Sequence, residues 1–222
     1  MRGSSRDHDE VTSDESQLRK AIVKAGRAAF TALQKNHPSE HFYAFIFYTA
    51  PELGYLVPSS ATEEALTRLA SDPREQEDLR WSPCDWEYHL SGEAHFNEVN
   101  ELLEADRVES ARSEAERQER FDRRWSVFKQ AILQLDEEGV FGTGDARAGV
   151  LVNIMWGDQD VVAHLQSARE LNPKSTYLAY AKAELPTLKA WLEEIRSSNS
   201  LHKTESLRRI EAELSLLERD LS

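Results

Sequence analysis

Cys84 is the only cysteine of the chain, and His89 and His95 follow it closely in sequence. A thiol nucleophile needs a base to take its proton and donors to hold an oxyanion. The histidines offer the first, and nothing around them supplies the second. The same three side chains are the nearest approach to a metal site, but their spacing matches no zinc pattern, and a lone cysteine excludes both an internal disulfide and a multi-cysteine zinc centre. Two acid pairs, Glu63 with Glu64 and Asp158 with Asp160, stand at expected helix starts, where capping accounts for them. The glycine-rich stretch VFGTGDARAG runs from a helix into a strand, the reverse of the order in which a phosphate loop presents its amides. The sequence therefore assigns no catalytic, cofactor or metal residue.

What remains is aromatic. Trp81, Trp86 and Tyr88 crowd one segment, RWSPCDWEYHL, and Trp156 ends an apolar run just ahead of Asp158 and Asp160. Indoles and phenols at such density either close a core or anchor an interface or pocket. These six residues are the candidate interface or pocket.

The elements that must position them follow from periodicity. Phe42 to Thr49 is apolar and uncharged, as suits a strand covered on both faces. Pro51 and Gly54 bracket a turn, Tyr55 to Val57 returns beside the first strand, and Pro58, with no amide hydrogen, ends that pairing. Ser60 and Glu63 have capping-box spacing before a short helix. Trp86 to Leu90 alternates as a third strand, and Val150 to Met155 makes a fourth. The spacing predicts a core-facing helix over Gln17 to Lys35, and another through Phe121, Trp125, Phe128, Ile132 and Leu135. Between residues 104 and 124 the chain is nearly all charge with alanines, the pattern of a solvated helical arm. Leu185, Leu188, Leu192 and Ile195, then Leu207, Ile210, Leu214, Leu217 and Leu221, repeat as two amphipathic helices that pair with each other or carry a homodimer seam. The expectation is an α+β fold: a small, mainly antiparallel sheet of about four strands covered by helices. A disordered tail over residues 1–13 precedes a domain over 14–183, and a C-terminal helical pair occupies 184–222.

With a formal net charge of -13, a nucleic-acid partner would have to approach against the field of the protein, whereas a basic protein suits it. No apolar run approaches the length of a membrane span, and the first residues lack the apolar middle of a secretory signal, so a cytoplasmic location is expected.

The succession HFYAFIFYTA, YLVPSSATEEAL, RWSPCDWEYHL and FGTGDA ahead of WGDQD resembles a bacterial family of unknown function, domain-of-unknown-function family 4303, over roughly residues 41–160. The resemblance implies a bacterial α+β domain and no particular activity, with the charged arm and the C-terminal helices as additions. The leading expectation is a non-catalytic protein-binding module with an acidic surface, in the manner of toxin-neutralising immunity proteins. The alternative is a small-ligand-binding protein or enzyme with a pocket near Trp81, Trp86 and Trp156.

Overall fold

The computed structural model describes residues 5–106, 113–157, 160–198 and 203–221. The chain is α+β: helices α1 (Ser5–Asn36), α2 (Glu63–Leu69), α3 (Pro73–Leu79), α4 (Asn97–Ala105), α5 (Glu114–Glu137), α6 (Gly144–Ala148), α7 (Val161–Leu171), α8 (Lys174–Ser197) and α9 (Lys203–Leu221) surround strands β1 (Phe42–Thr49), β2 (Val57–Thr62), β3 (Tyr88–His89) and β4 (Leu151–Trp156). The sheet order is β3-β2-β1-β4. β1 pairs antiparallel with β2 and parallel with β4, and β2 pairs antiparallel with β3.

β1 lies inside the sheet and sends side chains to two cores. Phe45 and Phe47 pack with Phe30 of α1, ring centroids 5.1 and 5.2 Å away, beneath α1, α4 and α5. Ala44 and Ile46 face α7, α8 and α9 instead. The register with β2 shifts between Phe42 and Ala44, and the extra residue, Tyr43, joins Ala44 in that second core. Burial of β1 on both faces explains why no polar alternation is visible in its sequence. Gly26, inside α1, lets the helix come close: a Cβ there would lie 2.7 Å from Leu135 and 3.3 Å from Phe47.

Several boundaries differ from expectation. β2 is Val57–Thr62 rather than Tyr55 to Val57, and Pro58 sits within it. The carbonyl of Pro58 accepts from Leu90 on the β3 side, so its missing amide hydrogen faces away from β1 and leaves the β1–β2 ladder whole. Helix α2 is capped by Thr62, which accepts from the amide of Ala65 at 3.0 Å, not by Ser60. β3 shrinks to two residues because Ser82 to Trp86 is wound into turns and Leu90 takes a positive φ of 63°.

The first helix begins at Ser5, well ahead of Asp14, over a stretch with no proline or glycine to stop it. The expected arm at 104–124 is two helix ends, α4 and α5; residues 107–112 lie outside the described residues. Arg124 is buried, donating to the carbonyls of Leu53, Leu103 and Asp106 at 3.1, 2.9 and 2.7 Å, and so holds the middle of α5 against the end of α4. α8 runs unbroken through Pro186, across the expected boundary at 183/184. Ile210 and Leu217 of α9 are buried within the chain, and Leu221 is exposed.

β4 is an edge strand whose outward amides do not go unmet. Asn172 accepts from Val152 at 2.8 Å and donates back to its carbonyl at 2.7 Å. The amide of Ile154 meets the side chains of Asn153 and Ser167 at 3.0 and 3.4 Å, and that of Trp156 donates to Nε2 of His164 at 3.1 Å. Side chains of α7 and the residue after it thus replace the missing strand.

On the opposite side of the sheet the hydroxyl of Ser60 is buried with no hydrogen-bond partner. Ser60→Ala removes an unsatisfied group without opening a cavity and should stabilise the protein by about 1 kcal/mol, read from urea unfolding.

Candidate functional site

Because β1 and β4 run parallel, their carboxyl ends lie together, with Thr49 opposite Trp156. Beyond them opens a cleft of about 850 Å³, bordered by Trp81, Cys84, Trp156, Gly157, Tyr180 and Glu184. A crevice outside the carboxyl ends of strands is where open α/β sheets take their ligands, and this volume is that of a small-molecule site.

Each wall has a local cause. Asp72 caps α3 through the amide of Arg74, with Pro73 at its first position, and the helix delivers Trp81 two residues beyond its end. The Trp81 ring is half-buried, edge-on to Tyr43 at 5.7 Å and to Tyr180 at 5.2 Å. Neighbouring Arg80 is occupied elsewhere, since it grips Glu63 through two bonds of 3.0 and 2.6 Å and lies 4.5 Å over the Tyr43 ring. The floor is the end of β4. At Gly157 a Cβ would stand 2.7 Å from the hydroxyl of Tyr48, so a side chain there would have to push the Tyr48 ring tip aside. Tyr180 and Glu184 stand four residues apart on α8 and share one face of the helix.

The six residues singled out by sequence fall into different roles. Trp81 and Trp156 border the cleft. Trp86 does not: it is buried, and its indole donates to the carbonyl of Leu79 at 2.9 Å. Tyr88 is also buried, its hydroxyl held by Glu40, Arg68 and His37. The density of aromatic residues there closes a core rather than anchoring an exposed surface. Asp160 caps α7 through the amide of Ala163 at 3.1 Å and pairs with Arg209 of α9 at the same distance. Asp158 lies outside the described residues. His164, Tyr180 and Glu184 line the cleft and were not among the six. The spacing of Tyr180 and Glu184 was the one available signal, and His164 had none.

Among the described residues the cleft carries three carboxylates, Glu77, Asp78 and Glu184, against one guanidinium, Arg80. Burial pushes the Glu184 carboxyl up to about 7. It likewise holds the Tyr180 phenol well above its ordinary value. His164 is lowered to about 4 by burial, opposed by the Asp160 carboxylate, so the ring is neutral and its Nε2 remains an acceptor. Cys84 is exposed and makes no hydrogen bond to His89 or His95. Among the described residues no group of three His, Cys, Asp or Glu converges as a metal set.

Fold and site together define an α+β domain with a ligand-sized cleft at the carboxyl ends of two parallel strands. Residues 22–173 match the family described as domain of unknown function (DUF4303), and the chain belongs to that family. No curated protein and no solved structure matches the chain. The match takes in the charged 104–124 stretch, which is therefore part of the family domain and not an addition to it, and leaves α8 and α9 outside.

The two shifted groups oppose each other with pH. Glu184 is raised in the folded state, so stability falls as pH rises from about 4.5 to about 7 and levels above. His164 is lowered, so its contribution is whole above about 6.5 and is lost as pH falls towards about 4. Glu184→Gln should raise the melting temperature at pH 8 and change little at pH 4, leaving the acid limb of His164 as the visible slope in a thermal-melt series.

Proposed function

We propose that this protein binds a small ligand in the cleft between Trp81, the end of β4 and α8. The observation that carries the reading is the pairing of a cleft at the carboxyl ends of β1 and β4 with polar groups that have no protein partner: among the described residues neither the Tyr180 hydroxyl nor the Glu184 carboxyl makes a hydrogen bond or ion pair. The reading is of binding rather than catalysis, because the exposed Cys84 has no base in hydrogen-bond contact.

A second reading keeps the acidic surface as the working part. The net charge of -13 favours recognition of a basic protein, as in immunity-like modules, and that binding would weaken as salt is raised. The aromatic anchors it would call on are reduced, since Trp86 and Tyr88 are buried.

No described helix is long and apolar enough to cross a membrane. The first test is a thermal-shift screen of small metabolites. A ligand should raise the melting temperature by mass action, and Trp81→Ala should abolish the shift while lowering the unliganded melt less than loss of a fully buried ring would, since Trp81 is half-buried against Tyr43 and Tyr180. Trp86→Ala is the contrasting variant: it empties a core site and should cost about 3–5 kcal/mol whether or not ligand is present.

A further inference from the structure

We infer that the cleft takes a small organic cation, an amine or quaternary ammonium, seated against the carboxylate of Glu184 and the rings of Trp81 and Tyr180. The inference rests on the reading of this cleft as a ligand site and names the chemistry of its occupant.

Glu184 carries the argument. Several of the more enclosed carboxylates among the described residues have partners: Glu40 meets Arg68 and Tyr88, Asp136 meets Arg147 at 2.6 Å, and Glu213 meets Arg169. Glu184 is half-buried on the cleft wall and has no hydrogen bond or ion pair among the described residues. A carboxylate held from water without a cation is disfavoured in its charged form, and a cation entering beside it restores what burial removed. One helical turn earlier, Tyr180 is only 2% exposed, and its hydroxyl likewise has no hydrogen-bond partner among the described residues. Such an oxygen completes a site by accepting from a ligand N–H or lying against its charge.

The surroundings select the sign and the type of charge. Three carboxylates outnumber the single guanidinium of Arg80, which is already held by Glu63 and stacked over Tyr43. A phosphate or carboxylate ligand would meet Glu184 directly, at the cost of burying like charges together. A bare metal ion lacks its ligand set, since no described group of three His, Cys, Asp or Glu converges. An organic cation has both halves of what the cleft offers: a charge for the carboxylate, and C–H surface for aromatic rings, whose negative faces attract cations. The bulk charge of -13 draws the same ligand towards the protein.

The test uses the full chain and three kinds of probe: choline and spermidine as cations, a neutral isostere of choline with carbon in place of nitrogen, and inorganic phosphate with acetate as anions. Binding is read by titration calorimetry and by tryptophan fluorescence, for the parent, Glu184→Gln and Trp81→Ala. The expected result is binding of at least one cation, with the isostere about tenfold weaker or more. Glu184→Gln, which keeps the shape of the side chain and should melt no lower than the parent, should lose about tenfold or more of the cation affinity. Signals from neutral or anionic probes alone, lost in Trp81→Ala, would overturn the cation inference and leave the ligand-site reading standing. Equal binding of choline and its isostere, or full cation affinity in Glu184→Gln, would overturn it too. Absence of any Trp81-dependent signal across the panel would overturn both.

Discussion

The outer edge of β4 constrains the rest of the fold. The amides of Val152, Ile154 and Trp156 point away from β1, in a part of the chain where water has been excluded, and each must find an acceptor. A buried amide left without one costs about 1–3 kcal/mol. The acceptors on the α7 side are the side chains of His164, Ser167 and Asn172, with Asn153 of β4 itself sharing the Ile154 amide. Meeting all three amides at once fixes the height and rotation of α7 against the strand. It also fixes the protonation state of His164, since an imidazolium has no lone pair to offer Trp156. From α7 the arrangement propagates outward: Arg169 reaches the buried Glu213 of α9 and the hydroxyl of Tyr177 in α8, which binds the last two helices to the same frame.

A second consequence concerns charge. Two arginines, Arg124 and Arg147, are buried, because a planar guanidinium can meet several carbonyls from chain segments that end near one another. Arg124 joins the Leu53 turn to the end of α4, and Arg147 joins Asp136 at the end of α5 to the carbonyls of Val150 and Leu171. These two residues stitch helix ends to the start and finish of strands, while most of the other ion pairs lie at the surface, where each contributes little.

That division explains what could be read from the sequence. The apolar stripe of α5 and the heptads of α9 were legible because burial repeats with the period of the helix, and β1 because an uncharged apolar run of its length suits a strand covered on both faces. The sequence could mark Trp81, Trp86, Tyr88 and Trp156 as closing a core or lining a pocket because large aromatics are few, but composition cannot say which of them face inward, as Trp86 and Tyr88 do. Arg124, Arg147 and His164 were illegible: each is a polar residue whose burial is licensed by backbone groups far away in sequence. Pro58 misled by a subtler route, because a strand tolerates proline on the one side where no partner strand needs its amide. Glu184 was hidden in a helix whose pattern is otherwise ordinary.

The cleft is assembled from two sources. Its floor, with Trp81, Gly157 and the ends of β1 and β4, belongs to the segment shared with the family, whereas the wall bearing Tyr180 and Glu184 lies on α8, past the last family-matched residue, 173. Changes on α8 can therefore alter the lining of the cleft while leaving the hydrogen-bonded ends of β1 and β4 beneath it untouched.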